Sequence, residues 1–242
     1  MTQGNMKRSI GWLGNVSFAA SLIIIAGLLN AWGAKEIRVD INEVILLTFF
    51  GGVCLFLARN LLFPCLGLSF HDDVVERRNH ASLIAFCGAL LALAIIYAGG
   101  SIGEGPFYSE NAFSIALGTA GWLLLWIFIE IGANISRSIA EERDLASGIR
   151  LGGFLLANGL ILGRSIAGNW HSEAATIHDF THEGWPALAL CAAALVVEKF
   201  ARPSRRRPFP PYQSHGLVPA LCYLAFAMAW LCHLGPWEGM RQ

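Results

Sequence analysis

Residues 121–132, GWLLLWIFIEIG, and residues 45–62, ILLTFFGGVCLFLARNLL, are the two stretches that decide the fold. Both are long, apolar and nearly free of charge, as a helix that crosses a hydrocarbon core must be. In the whole chain of 242 residues, 55% are hydrophobic, only 14% are charged, and the mean hydropathy is +0.53. Soluble domains carry roughly 25% charged residues, so this composition indicates a membrane protein.

Seven segments of this kind follow along the chain, near the length of about 20 residues that crosses a bilayer. They cover residues 10–32, 44–62, 80–100, 111–134, 148–168, 184–199 and 216–235. We therefore predict an all-α fold, a polytopic membrane helix bundle with about seven transmembrane helices. The first segment has a competing interpretation as a cleaved signal peptide, but its length favours a retained helix.

Lysine and arginine residues are divided unevenly between the two sides of the predicted bundle. If the N-terminus is cytoplasmic, twelve lie in or near the cytoplasmic loops, and only four lie on the far side: Lys35, Arg38, Arg164 and Arg241. Membrane proteins carry such an excess on the cytoplasmic side. Four tryptophans near the outer boundary resemble an aromatic belt: Trp32, Trp170, Trp185 and Trp237. We predict a multi-pass protein of a bacterial inner membrane, with the N-terminus cytoplasmic and the C-terminus outside.

The third and fifth segments share a pattern at an offset of 65 residues. Ten of the twenty-one positions in 76–96 match their counterparts in 141–161, including two charged residues and a glycine. Such self-similarity predicts a tandem repeat of a two-helix unit. Because each unit crosses the membrane twice, both copies should point the same way, which makes the repeat parallel.

The repeat divides the chain into four parts. Residues 1–43 form an N-terminal transmembrane helix and an outer loop, residues 44–108 form repeat 1, and residues 109–170 form repeat 2. Residues 171–242 form a C-terminal helix pair with an outer His-rich loop and an inner basic, Pro-rich loop.

Equivalent positions of the repeats predict how their helices begin and pack. Asn79 and Asp144 precede the third and fifth helices, where Asn and Asp are good N-caps. Small residues four apart let helices approach closely in lipid. The third and fifth helices are therefore the predicted inner packing pair, in contact through Gly88, Ala92, Gly153, Ala157, Gly159 and Gly163.

At these residues the chain resembles the YjfL-type bacterial inner-membrane proteins, a family whose domain has no known function. In that pattern the second helix of a duplicated pair opens with the motif Asn-x-Ala-(Ala/Ser). A glycine lies six residues after the final Ala or Ser of this motif. Here the copies read Asn79-His80-Ala81-Ser82 and Asp144-Leu145-Ala146-Ser147, each followed by the glycine, with Asp replacing Asn in the second. The resemblance covers about residues 44–168. It implies a bacterial inner membrane and a four-helix core, and it supplies no catalytic residues.

Polar side chains inside the predicted helices are candidate functional residues, because such groups are costly in lipid. Glu130 and Arg150 should lie at similar depth, which predicts an ion pair between them. With Arg59, Asn60 and Asn158 they predict a polar path or ion site between the repeats. The alternative is a structural ion pair and an arginine that snorkels to the headgroups.

The loop before the sixth segment carries His171, His178 and His182, spaced seven and four residues apart. A helical loop would place all three on one face, near carboxylates, and such a cluster could hold zinc or another divalent metal. A pH-sensitive surface patch or solvated histidines are the alternatives. No other cofactor is predicted. The six cysteines have no metal-ligand spacing and are expected to be small apolar packing residues.

Several functions are disfavoured by what the sequence lacks. Seventeen basic residues balance seventeen acidic ones, so no nucleic-acid partner is expected. The sequence shows no Walker, GxSxG, HExxH or dinucleotide motif, so we expect no enzymatic activity, and an enzyme acting on lipid is the weakest alternative.

Two functions are left. The polar residues favour a small channel- or transporter-like module, while the alternative is a non-conducting scaffold or partner subunit that binds and positions another protein. The expected partners are membrane lipid and either further copies of the chain or another subunit of a membrane complex.

Overall fold

The computed structural model describes residues 3–105, 108–203 and 210–235, and this part of the chain is helical, without strands. It contains eleven α-helices. In chain order they are α1 (Gln3–Trp32), α2 (Lys35–Val39), α3 (Ile41–Leu57), α4 (Phe63–Cys65), α5 (His80–Gly100), α6 (Tyr108–Ala133), α7 (Ile135–Ala140), α8 (Leu145–Ser165), α9 (Glu173–Gly184), α10 (Pro186–Ala201) and α11 (Val218–Leu234). Three π-helical segments cover Ala58–Leu62, Phe70–Glu76 and Gln213–Leu217.

Six helical spans are long and apolar enough to cross a membrane, which confirms an all-α fold of the membrane class. They are Ile10–Trp32, Ile41–Cys65, His80–Gly100, Tyr108–Ala133, Leu145–Ser165 and Gln213–Leu234. The bent pair of α9 and α10, with an angle of 41°, makes a seventh if it is counted as one span. The predicted segment 184–199 falls within this pair.

Helix α10 runs back along α8 in the opposite direction. Its beginning lies beside the end of α8, where Gly184 lies against Ser165. Near its end, Glu198 bonds to Arg150, close to the beginning of α8. The 16 residues of α10 span about 24 Å along the helix axis.

Two of the three π-helical segments precede a proline. Proline has no N–H, so the carbonyl four residues before Pro64 and that before Pro219 cannot accept the usual helical bond. The helix adapts by widening one turn. The N–H of Phe63 accordingly donates to the carbonyl of Ala58, five residues back, and that of Val218 donates to Gln213 in the same way.

Helices α5 and α8 form the centre of the bundle. In these two spans 78% and 72% of the most apolar residues are buried, against 17–33% in the other four spans. A Cβ at Gly88 would collide with the backbone of Gly152, and one at Gly148 with the backbone of Ala81. The two backbones are thus in direct contact, which only glycine permits here.

The central helices run in the same direction. Along the interface Gly148 contacts Ala81, Gly159 contacts Ala92, and Gly163 contacts the backbone of Ile95, so residue numbers rise together on both helices. The prediction that Gly153 belongs to this interface is wrong. Gly153 faces Ala220 of α11 instead, because it lies one position further round α8 than Gly152. Ala157 is fully buried.

Both central helices begin with the same local geometry. The side chain of Asn79 accepts from the N–H groups of Ala81 and Ser82 at 3.0 and 3.3 Å. That of Asp144 accepts from Ala146 and Ser147 at 3.3 and 2.9 Å. These bonds satisfy N–H groups that the helix itself leaves unpaired.

The loops that enter and leave the central helices also correspond at an offset of 65 residues. Arg78 and Arg143 both adopt the left-handed conformation, with φ of 53° and 55°. The N–H of the N-cap that follows each arginine donates to a carbonyl six residues back, at 3.0 and 2.9 Å. After the helices, Gly103 and Gly168 lie against each other, and both have positive φ. We call the end where α5 and α8 begin the Asn79 end and the opposite end the Ser101 end.

Candidate functional site

Arg150 is buried inside the bundle, less than two turns from the start of α8, and is 1% exposed. Its Nε and Nη2 donate to the two carboxylate oxygens of Glu198 on α10, at 2.6 and 2.8 Å. Glu198 is itself only 4% exposed. A bidentate arginine–carboxylate pair of this geometry is among the strongest charge-assisted contacts in proteins.

Two further groups complete the shell around Arg150. Nη1 donates to the carbonyl of His215 at 2.6 Å, and Nη2 donates to the hydroxyl of Ser147 at 2.9 Å. The His215 carbonyl is available because Pro219, four residues on, has no N–H to offer it. The Ser147 hydroxyl in turn donates to Asp144 at 2.6 Å, which links the cluster to the N-cap of α8.

This cluster joins three separate parts of the chain at the Asn79 end: the start of α8, the end of α10 and the segment before α11. Burial of a charge is expensive, and the cost is offset only when the geometry is good and the remaining donors are bonded. Arg150 meets the first condition, and four of its five N–H groups donate to Glu198, His215 and Ser147. An arginine guanidinium does not release its proton in proteins, so the cluster is suited to holding helices together and not to relaying protons.

Glu130 does not take part in this cluster, and the predicted Glu130–Arg150 ion pair is wrong. The Glu130 carboxylate instead accepts from the N–H and the hydroxyl of Ser136, at 3.0 and 2.6 Å. It thereby supplies acceptors at the start of α7, whose own N-cap, Asn134, is left-handed and makes no capping bond. Similar depth along two helices did not determine which way the two side chains face.

The other predicted path residues are each bonded locally. Arg59 lies 3.6 Å above the ring of Phe70 and donates to Asn15 at 3.2 Å. The amide groups of Asn60 and Asn158 donate to carbonyls of their own helices, at 2.7 and 2.9 Å. The predicted path is therefore not formed: Arg59 and Asn60 lie on the span that contains α3, and Asn158 lies within α8 with its amide turned to its own backbone.

The three histidines do not form the predicted metal site. Helix α9 begins only at Glu173, so His171 lies outside the helix and off the face that the spacing requires. His178 and His182 stack with ring centroids 5.9 Å apart. Within the part of the chain that the structure describes, no three His, Cys, Asp or Glu side chains are grouped so that they could hold a metal ion.

Sequence reasoning missed Glu198, Gly148 and Gly152. Glu198 carried a usable signal, since it is an acidic residue in an apolar helix at the depth of Arg150. Gly152 lies one residue before the predicted packing position Gly153, and Gly148 lies one helical turn before Gly152. Of the inner Pro-rich loop, residues 204–209 lie outside the described residues.

The architecture is that of a polytopic α-helical membrane protein with a buried structural ion pair. The chain belongs to the DUF350 family, whose description is Domain of Unknown Function, and the match covers residues 38–166, more than half of its length. Comparison with curated proteins and with solved structures finds no match. The matched region contains α3 to α8 and Arg150, whereas α10 and the segment Gln213–Leu217, which hold Glu198 and His215, lie outside it.

Proposed function

We propose that the protein is a non-conducting membrane subunit that binds and positions another membrane protein. The observation that carries this proposal is the packed centre of the bundle. Gly88, Gly152 and their neighbours bring the backbones of α5 and α8 into contact, and this leaves no room for water between them. A channel or transporter within one chain would need a polar path there, and Glu130 and Arg150, two of the residues expected to line it, are bonded elsewhere.

Helices α10 and α11 supply the proposed contact surface. Large apolar side chains on them are exposed: Leu188, Val196, Phe200, Leu221 and Met228. Helix α10 is fastened to α8 through the Arg150–Glu198 pair, and the bond from Arg150 to the His215 carbonyl holds the segment that leads into α11, so a partner bound to these helices would be held against the central pair. Lys199 and Arg202 at the end of α10 add positive charge where this surface ends.

Three further statements belong to this proposal. The membrane is a bacterial inner membrane, and the Asn79 end, with its arginine-rich loops, faces the cytoplasm. The two helix pairs arose by duplication, which is supported by the matching caps and left-handed arginines at an offset of 65 residues. No catalytic step is part of the proposed role.

Cross-linking in native membranes followed by purification tests the contact surface. We expect a second protein to be recovered with the wild-type chain and to be lost from Phe200→Ala. Ile131→Ala is a matched control on α6, because both side chains are 79% exposed and neither supports the core. A cross-linked product containing only this chain would identify the partner as a second copy. Equal recovery from both variants would contradict the proposed surface.

Ion flux in reconstituted vesicles tests the non-conducting role independently. We expect proton and potassium leakage equal to that of protein-free vesicles. A flux above this level that Glu130→Gln reduces, with folding unchanged, would contradict the proposal and restore the transport hypothesis.

A further inference from the structure

A deep groove lies between α3 and α6, and α5 forms its floor. Its volume is about 800 Å³, and it is partly open to the surface of the bundle. The walls carry mainly apolar side chains, among them Leu46, Phe50, Leu57, Leu62, Ile115 and Leu123. The groove exists because the facing side of α6 carries alanines one turn apart, at 112, 116 and 120, which fill little space.

The dimensions of the groove suit a thin, flexible chain. Its lining runs from Leu46 to Leu62, seventeen residues and therefore about 24 Å along the helical axis. The hydrocarbon of one leaflet is about 15 Å thick, so an acyl chain fits lengthwise.

Polar groups are concentrated at one end of the groove, the Ser101 end. There Tyr108 donates to the Glu43 carboxylate at 2.7 Å, and the Ser101 hydroxyl donates to the carbonyl of Tyr97 at 3.1 Å. Asn111 lines the same end, and its half-buried amide makes no hydrogen bond to the described part of the protein. Apart from Thr119, the rest of the lining is mainly apolar, so the groove has one polar end and a long apolar part, which matches the polarity of a phospholipid.

We propose that the groove between α3 and α6 binds one acyl chain of a phospholipid, whose ester region lies at Asn111. The amide donates to a carbonyl or phosphate oxygen of the lipid, and the chain extends along Ile115, Leu93 and Leu57 toward the middle of the bilayer. Lipid tails are as apolar as leucine, so the site does not work by excluding water. An acyl chain in the groove is contacted on three sides, unlike one on the outer surface of the bundle. Because dispersion contacts add up over many atoms, the chain binds more strongly in the groove.

Photo-cross-linking tests this site in the full-length protein. The probe is a phosphatidylethanolamine with a diazirine on its acyl chain, present as a minor component of phosphatidylethanolamine–phosphatidylglycerol vesicles. Adducts are mapped by mass spectrometry of peptides. We expect adducts to concentrate on residues 46–62 and 112–123 and to be sparse on the exposed sides of α10 and α11.

Two tryptophan substitutions form a matched pair. Ala116→Trp fills the groove, and we expect adducts on its lining to fall by about an order of magnitude, because the indole takes the place of several methylene groups and removes their dispersion contacts. Ala193→Trp places the same ring on the exposed side of α10 and should leave the labelling unchanged. Asn111→Leu, which does not fill the groove, should reduce groove labelling more weakly.

The wild-type map alone can overturn the proposal. Adducts spread evenly over all lipid-facing helices would mean that the groove holds only bulk lipid. Absence of adducts from the groove, together with protein–protein products joined through it, would mean that a protein occupies it. If Ala116→Trp does not fold, the wild-type map and Asn111→Leu still decide between these outcomes.

Discussion

Removal of the partner of Arg150 should destabilise the protein strongly. In Glu198→Leu the guanidinium loses both carboxylate bonds, of 2.6 and 2.8 Å, and keeps only the His215 carbonyl and the Ser147 hydroxyl. The charge remains buried, since Arg150 is 1% exposed. Breaking a buried pair in this way costs about 3–5 kcal/mol of the free energy of unfolding.

A second substitution should recover part of this loss. Arg150→Met combined with Glu198→Leu removes the buried charge as well and leaves the His215 carbonyl without its donor, at a cost of about 1–3 kcal/mol. We therefore expect the double variant to be more stable than Glu198→Leu alone, although it lacks one more native side chain. Additive effects would give the opposite order.

Unfolding in mixed detergent micelles, followed by tryptophan fluorescence, measures these differences. Lys199→Ala is the control, because its side chain is adjacent to Glu198 in sequence but exposed, and such changes usually stay within about 0.5 kcal/mol. A loss below about 1 kcal/mol for Glu198→Leu, typical of a surface ion pair, would refute the reasoning. A double variant less stable than the single one would refute it as well.

Three other predictions concern packing, capping and orientation. Gly88→Ala should lower the thermal midpoint, because the added methyl group separates α5 from α8. Gly27→Ala is the control, since no atom lies within 4 Å of the new Cβ, and it should leave the midpoint unchanged or raise it. Equal effects of the two substitutions would contradict the packing. Asn79→Ala should cost about 2 kcal/mol, from a lost cap and a lost bond to the Ile139 carbonyl, and Asn79→Asp about half of this because it keeps the cap. Chemical unfolding measures both, and equal losses would assign no role to the cap. In a cysteine-free background, Glu104→Cys should be labelled by an impermeant maleimide from outside the cell and Glu142→Cys only after the membrane is opened; the reverse pattern would invert the proposed orientation.

The membrane character of the protein follows from local sequence, and so do the ends of its helices. A run of apolar residues such as 121–132 has to be a helix in lipid, because each backbone N–H and C=O must be bonded within its own segment. N-caps are equally local, since the Asn79 and Asp144 side chains bond to N–H groups two and three residues further on. These features could be predicted because both partners are neighbours in the chain.

The contacts between helices could not be predicted in the same way. Depth in the membrane can be counted from the ends of a helix, and this placed Glu130 and Arg150 at one level. The direction in which each side chain points depends on how its helix is rotated against its neighbours. That rotation turned Glu130 toward α7 and Arg150 toward α10.

The sequence by itself determined that the chain is a bundle of membrane helices, which segments cross, and where the central helices begin. Tertiary structure alone decided which glycines lie between α5 and α8, which acid pairs with Arg150, and where a groove remains between α3 and α6. The physical reason is that hydropathy and capping act within a few residues of one chain segment. Packing instead depends on the shapes of surfaces that come together from distant parts of the chain.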